Sequence, residues 1–491
     1  MITATKPAAA LAPLWTVETI SEAINGHCSG PNASIFGLAI DSREVREGDA
    51  FFAMPGTAMD GHEFAQMALG KGAAVVIARA DWQAPGGIDE GRLIRCDCPK
   101  QALIDLGVAR RAQTAAKIIG VTGSVGKTSL KDALLRCLGR EALAHTNVRS
   151  FNNDVGVPLT MARMPLETQF GIFEMGMNHA GELTQLSGWV RPNVALITTI
   201  ALAHYAYFDS EEDIADAKAE IFKGLEPGGT AILPRDNRHF ERLKAAAEAC
   251  GAARILTFGT TSDADVHPIT VSRHGHCTTL TVKVGDQTLM LKVGIPGAHW
   301  VINAVACIAA VYALEGDLGL AGLSLAEMRA LPGRGAISQV PVGAGEALVM
   351  DDSYNANPAS VKAALETFGS LELDGRGRRC AVLADMLELG DDAPALHADL
   401  LPAVLGADID TLICVGPLMA HLAKVAESQL SVLTVDTHLE ALKQLKSHVR
   451  AGDAILVKGS NSMKLGTLVA ELKDGALALS DLRPTSSGGE G

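Results

Sequence analysis

No Cys-x-x-Cys occurs in this chain, although it has nine cysteines. The pair Cys96-x-Cys98 has no neighbouring Cys or His pair to complete a zinc site, which excludes a zinc ribbon. The odd, scattered set fits a reducing compartment and points to the cytoplasm. Positive charge is also scarce. Lys and Arg total 42 against 56 Asp and Glu, giving a net charge of -14. That balance argues against nonspecific association with nucleic acid or an acidic membrane surface, while local cations still decide whether an anionic substrate binds. The first residues have one lysine, Lys6, and a short Ala/Pro stretch, so neither a signal peptide nor a membrane span is expected. An Asn-Lys-x-Asp run, which a GTPase uses for guanine, is missing, and no internal repeat is visible. What the chain has is 48% hydrophobic and 20% charged residues, enough for ordinary packed cores, and 491 residues, enough for three domains.

The strongest positive signal is Gly120-Val-Thr-Gly-Ser-Val-Gly-Lys-Thr-Ser129. The run Lys117–Val121 leads into it, and Leu130, Ala133, Leu134, Cys137 and Leu138 follow at helical spacing. Strand, glycine turn, Lys-Thr and amphipathic helix make a P-loop, whose backbone N–H groups and helix N-terminus face phosphate oxygens. Gly123, Ser124, Val125, Gly126 and Ser129 then belong to an ATP cradle. Lys127 would neutralise the β- and γ-phosphates, and Thr128 would offer its hydroxyl to Mg2+. The outer glycine of the usual pattern is replaced by Val121.

The pattern predicts an α/β protein of three domains. Residues 1–112 read as a small α/β unit, with strands at Ala50–Met54 and Ala73–Ile77 and a helical stretch from Gly61 to Gly70. From 113 to 332, apolar runs alternate with helical periodicity, the mark of a parallel sheet with crossover helices. Strands are expected at Phe170–Phe173 and Val194–Ile200, a hairpin turns around Gly285-Asp286, and Pro296–Leu314 reads as a helix. Residues 333–480 repeat the rhythm in a Rossmann-like unit, with strands expected at 347–350, 380–383, 411–415, 432–435 and 454–457. The tail 481–491 is expected to be disordered.

Open parallel sheets bind ligands beyond the carboxyl ends of their strands. Lys127 and Thr128 follow one such strand, Glu174 ends the next, and His204 lies just after a third. If the strands share a sheet, these groups meet on one edge, and Glu174 suits the acidic magnesium ligand of a P-loop enzyme. The other reading of Glu174 is a solvated turn residue, and of His204 a structural one. Lys218 lies on the apolar face of a helix opened by Ser210-Glu-Glu-Asp213, four residues after Ile214 and four before Phe222. A desolvated lysine becomes a neutral amine that can take up carbon dioxide as a carbamate, whereas a snorkelling lysine is the bland alternative. Asp351-Asp-Ser-Tyr-Asn-Ala-Asn-Pro358 either grips a ribose or base or forms a tight turn and helix start. Lys458-Gly-Ser460 also follows a strand and could meet an anion, and Arg334 sits in Pro-Gly-Arg-Gly, where an interdomain linker is expected.

These residues together resemble the Mur ligases, the ATP-dependent amide ligases of peptidoglycan precursor synthesis. The likeness runs from about Asp41 to Lys464 and includes Asp41-Ser-Arg43, Asp60-Gly-His62, Phe151–Leu159, Glu174–Glu182, Ala217–Phe222 and Asp385–Gly390. Within the family, Asp351–Pro358 resembles the member that adds a dipeptide, and the Asp-Asn-Pro-Arg signature of diaminopimelate-adding relatives is missing. The resemblance implies a first domain for a UDP-sugar, a central ATP domain and a last domain that binds the incoming dipeptide and closes. It implies UDP-N-acetylmuramoyl-tripeptide and D-Ala-D-Ala as substrates, ATP, and two Mg2+ ions; a monomer is expected. Carried over, Lys127 and Thr128 hold ATP phosphates and Mg2+, Glu174 and His204 ligate magnesium, and Lys218 is carbamylated. Asn303 contacts adenine, and Arg334 and Asp351 reach the nucleotide. Ser42 and Arg43 lie in the first-domain motif, and Asn152 and Asn153 touch the UDP-linked peptide. Two places depart from the family pattern: Trp300 follows His299 where relatives often have Asn, and Tyr205-Ala-Tyr-Phe208 replaces Leu-Glu-Gly-Phe. His299 receives no role. The rivals are a folate-directed ligase of the same superfamily and an ATP-gated binding module.

Overall fold

The computed structural model describes residues 12–56, 59–148, 150–201, 208, 210–274, 277–373, 375 and 377–478. His204 and the tail 481–491 lie outside the described residues. The chain forms three α/β units, each built on parallel strands. Strands Gly37–Ala39, Asp49–Phe52, Val75–Arg79 and Leu93–Cys96 make the first sheet, all parallel. The Gly61–Gly70 stretch is a short 3-10 turn, Gly61–Phe64, followed by helix Ala65–Gly70. Helix Pro99–Gln113 then carries the chain to the central unit. The two units are stitched by the Trp15 indole, which donates to the Ala162 carbonyl at 2.8 Å, and by Arg163 Nε, which donates to the Leu38 carbonyl at 2.9 Å.

The central sheet has nine strands. At its heart, Lys117–Thr122 lies between Phe170–Glu174 and Val194–Ile197, and all three run parallel. Their carboxyl ends therefore share an edge. Alternate residues of the middle strand feed opposite cores: Ile119 and Val121 pack on the side of helix Lys127–Gly139, and Ile118 on the other. A strand buried on both faces needs this near-continuous apolar run. Helix Ala298–Ala313 is buried on most sides beneath that sheet, where Cys307 Sγ lies 3.7 Å from Cys137 Sγ. The expected hairpin is present as Cys277–Val284 and Gln287–Val293, joined by a further antiparallel strand, Val266–His274.

The last unit has a seven-stranded sheet. Ser431–Val435, Thr411–Val415, Arg379–Ala384, Ala454–Lys458 and Gly345–Asp352 run parallel in that order, Ala336–Gly343 follows antiparallel, and the short strand Leu477–Ala478 pairs with it as the edge. Among the described residues, no helix is long and apolar enough to cross a membrane.

Candidate active site

The P-loop takes its shape from two glycines and a neighbouring strand exit. Gly123 and Gly126 have φ of 144° and 89°, a region that costs a side-chain-bearing residue strain. Ser124 N–H donates to the Thr199 carbonyl at 2.9 Å, Ser124 Oγ to the Ala201 carbonyl at 2.8 Å, and Thr198 Oγ1 to the Val125 carbonyl at 2.5 Å. The loop is thus fastened to the chain leaving Val194–Ile197. A Cβ on Gly123 would lie 1.9 Å from Thr198 Oγ1. Gly123→Ala is therefore expected to lower stability by about 1–3 kcal/mol and to weaken ADP binding, measured by thermal melting with and without nucleotide.

Lys127 opens helix Lys127–Gly139 and folds back to donate to the Gly123 carbonyl at 2.6 Å. Burial draws its amine below the usual lysine range; Glu174 opposes that shift and Arg334 adds to it. Thr128 is buried, and its Oγ1 accepts a hydrogen bond from Arg334 Nη2 at 3.1 Å. The linker arginine therefore already reaches the P-loop. Its guanidinium also stacks 4.0 Å from the centre of the Tyr354 ring.

Glu174 sits on the adjacent strand end, 1% exposed. Its backbone N–H donates to Asn147 Oδ1 at 2.8 Å, and its Oε1 accepts from Asn152 Nδ2 at 2.8 Å. Its Oε2 is buried without a hydrogen-bond partner. Lys131, one turn beyond Lys127 on the same helix, brings its Nζ to 4.0 Å from that oxygen and donates to the Asn147 carbonyl at 2.9 Å. A buried anionic oxygen without a donor fits a cation, and magnesium takes one or two protein oxygens plus phosphate oxygens and water. Glu174 Oε2 and the Thr128 hydroxyl are oxygens of the kind such an ion takes. Among the described residues there is no group of three or more His, Cys, Asp or Glu side chains that could hold a metal ion.

Lys218 is 1% exposed in the last turn of helix Glu211–Ala219, whose N-cap Ser210 accepts from Asp213 N–H at 3.1 Å. Burial lowers its pKa strongly, and repulsion from Lys127 adds to the effect.

A cavity of about 610 Å³ joins the P-loop to the Glu174 strand end, and Lys218 is not among the residues that line it. The segment 124–129, Asn152 and Glu174 line one side, and His299 and Asn303 another. The third unit closes it with Arg334, Asp352, Tyr354 and Lys458. Asn303 Oδ1 lies 3.0 Å from where a Gly126 Cβ would be, so the amide rests on the P-loop itself. The other expected residues lie elsewhere. Asn153 Oδ1 accepts from Gly156 N–H at 2.9 Å, holding the start of helix Gly156–Ala162. Ser42 is buried in the first unit; Arg43 is exposed and clasped by Asp41, whose carboxyl it holds down at about 2. Asp351 turns away from the cavity. Its Oδ2 accepts from Gly333 N–H at 2.9 Å and its Oδ1 from Ser353 Oγ at 2.6 Å. The carboxylate facing the cavity is Asp352, whose Oδ2 accepts from the buried Lys458 Nζ at 2.7 Å. Neighbours on a strand point to opposite faces, so only one of the two acids can serve the cavity. Sequence reasoning also passed over Lys131, although its spacing of four from Lys127 puts both on one helix face.

A P-loop, a buried acid beside it and a second α/β unit reaching over through a linker arginine define an enzyme that uses ATP to activate a substrate held between domains. Three family models match in succession along the chain: "Mur ligase family, catalytic domain" over residues 34–125, "Mur ligase middle domain" over 121–311, and "Mur ligase, glutamate ligase domain" over 339–461. The chain belongs to the Mur ligase family, whose members are ATP-dependent and form amide bonds. It is 33% identical over 474 residues to the UDP-N-acetylmuramoyl-tripeptide–D-alanyl-D-alanine ligase of Bacillus subtilis, covering 94% of this chain and 99% of that one. The Escherichia coli protein of the same name is 31% identical over 461 residues, covering 94% and 98%. The crystal structure of MurF from Acinetobacter baumannii superposes with a TM-score of 0.81 at 28% identity, covering 95% of this chain and 100% of that one. The MurF ligase of Thermotoga maritima in complex with ADP shares the fold, with a TM-score of 0.73 at 23% identity and coverage of 90% and 97%.

Proposed function

We propose that this protein joins D-Ala-D-Ala to UDP-N-acetylmuramoyl-tripeptide at the expense of ATP, giving UDP-N-acetylmuramoyl-pentapeptide, ADP and phosphate. The observation that carries the reading is the single cavity walled by the P-loop, Glu174 and the third unit. A carboxylate is a poor acyl donor, because its leaving group would be an oxide. Transfer of the γ-phosphoryl group makes an acyl phosphate, the dipeptide amine attacks its carbonyl carbon, and phosphate leaves from the tetrahedral adduct. Catalysis of the first step is positioning and charge neutralisation between two anions. Lys127 supplies one cation from the P-loop. Arg334, now on the Thr128 hydroxyl, is poised to exchange that partner for a phosphate oxygen. Thr128 and Glu174, with His204, would hold magnesium, which polarises phosphoryl oxygens when bound; Lys218 as a carbamate would support a second ion.

The division of labour follows the units. Residues 1–112, with Ser42 and Arg43, take the UDP-sugar, and Asn152 and Asn153 meet its peptide. Residues 113–332 take ATP, with Asn303 on adenine, and residues 333–480 bring the dipeptide and close over the acyl phosphate, excluding water. Asp351 serves the nucleotide by fixing the Gly333–Arg334 linker. The protein acts in the cytoplasm as a monomer. Phosphate release is expected only when ATP, the UDP-linked tripeptide and D-Ala-D-Ala are all present, and mass spectrometry should find the pentapeptide product. Phosphate release that ignores the dipeptide and the sugar would refute the reading.

A further inference from the structure

Glu174 is the last residue of its strand, and the strand on one side of it ends too early to pair with it. Ala144–Thr146 runs parallel to Phe170–Glu174, and its last register pair is Thr146 with Ile172. On the other side, Lys117–Thr122 keeps register as far as Val121 opposite Glu174, and Met175 N–H donates to the Val121 carbonyl at 2.9 Å. In a parallel ladder one residue sends its N–H and C=O to the same neighbour, and the next residue sends its pair to the other. The N–H and C=O of Glu174 therefore face the side where the strand has run out. Buried backbone groups of this kind need partners. Asn147, the first residue past Thr146 and 1% exposed, supplies them from its side chain. Its Oδ1 accepts the Glu174 N–H at 2.8 Å, and its Nδ2 donates to the Glu174 carbonyl at 3.4 Å. One amide thus stands in for a further residue of strand.

The same amide ties in a second segment. Asn147 Nδ2 also donates to the Phe151 carbonyl at 2.6 Å, directly before Asn152. Asn152 Nδ2 in turn donates to Glu174 Oε1 at 2.8 Å, and Gly176 N–H donates to the Asn152 carbonyl at 2.8 Å. A Cβ on Gly176 would lie 2.9 Å from Asn152 Oδ1, so the Asn152 side chain has little room to turn. Lys131 anchors the main chain of the hub by donating to the Asn147 carbonyl at 2.9 Å. The carboxylate is held at Oε1, which leaves Oε2 as its oxygen without a hydrogen-bond partner. We propose that Asn147 is a positioning residue: it fixes the Glu174 backbone and the segment carrying Asn152 together, and so selects Oε2 as the oxygen presented to a cation beside the P-loop. The inference rests on the reading of Glu174 as a magnesium ligand but not on the identity of the peptide substrates.

The test is calorimetric titration of the full-length protein with ADP, once in EDTA and once in excess Mg2+, without peptide substrates. Magnesium is expected to tighten ADP binding about tenfold in the unaltered protein and no more than about twofold in Asn147→Ala, while the two bind ADP alike in EDTA. The lost backbone partners also lower the melting temperature of the variant, but a merely structural role would weaken ADP equally with and without the metal. Glu174→Gln should lose the magnesium gain in the same way, and adding Asn147→Ala to it should remove nothing further, because both act on one oxygen. Asn147→Ser keeps a hydroxyl for one Glu174 backbone group and falls short of Phe151; it carries the comparison if the alanine variant does not fold. A full magnesium gain in the folded Asn147 variant overturns the proposal, as does an equal loss of ADP affinity in EDTA and in Mg2+. If Glu174→Gln keeps the gain, the metal reading of Glu174 falls and takes Asn147 with it. If Glu174→Gln loses the gain and the Asn147 variant keeps it, only the role of Asn147 falls.

Discussion

Lys218→Ala is expected to lower ligase turnover about 10³-fold or more while the protein still binds ADP. The reason lies in what the fold does to this amine. It is 1% exposed, burial lowers its pKa strongly, and Lys127 repels its charged form. A protonated ammonium there would be costly, and the neutral amine is a nucleophile. Attack of its lone pair on carbon dioxide forms an N–C bond and releases one proton, leaving a carbamate anion on Nζ. That change converts a neutral amine into an anion that can hold a metal. In the alanine variant, bicarbonate should restore nothing, because no amine remains to modify. A short carboxylic acid such as acetate should restore part of the rate by placing an oxygen pair in the vacated space. Intact-protein mass under neutral conditions should carry one added carbon dioxide that acid removes. Full turnover in Lys218→Ala would end the carbamate idea.

The features that place Lys127 and Glu174 on one sheet edge, and Lys218 on the apolar face of its helix, were legible because they depend on local pattern. Fully buried parallel strands need apolar runs, and the residue that ends each run lies on the shared edge. So strands over Lys117–Val121 and Phe170–Phe173 could be read, and the structure pairs them in parallel. The helix under Lys218 showed its apolar face and its Ser210 cap in the same way. Val266–His274 was not legible as a strand. Six of its nine residues, Glu-free but polar in part, are exposed, and His267, Ser272, Arg273 and His274 break any alternation of period two. The choice between Asp351 and Asp352 was hidden for a different reason. Adjacent acids at a strand end differ only in which sheet face they take, and that depends on where the linker and Lys458 pack. The Arg334 contact with Thr128 joins residues far apart in sequence and belongs wholly to tertiary structure.

The same edge predicts a variant in which function and stability separate. Glu174→Gln keeps the size and the Oε1 that accepts from Asn152, and changes only the charge and the chemistry of the partnerless Oε2. If that oxygen is present to hold a cation bridging to phosphate, the amide cannot replace it, and turnover should fall about 10²–10³-fold, with a magnesium requirement moved to higher concentration. Stability should behave otherwise. A buried carboxylate oxygen without a donor is a cost to the folded state, so removing its charge relieves desolvation. Lys131 opposes this, because burial already lowers its pKa and Glu174 is the main group holding it up. With Glu174 neutral, the Lys131 amine should shed its proton at a lower pH. Its native pKa, depressed below that of the unfolded chain, then makes the protonated amine a burden on folding that is relieved as pH rises. The variant should thus melt close to the unaltered protein at pH 9 and below it at pH 6, while its turnover stays low at both. Equal turnover across a magnesium titration would show that Glu174 holds no metal, whatever the melting curves do.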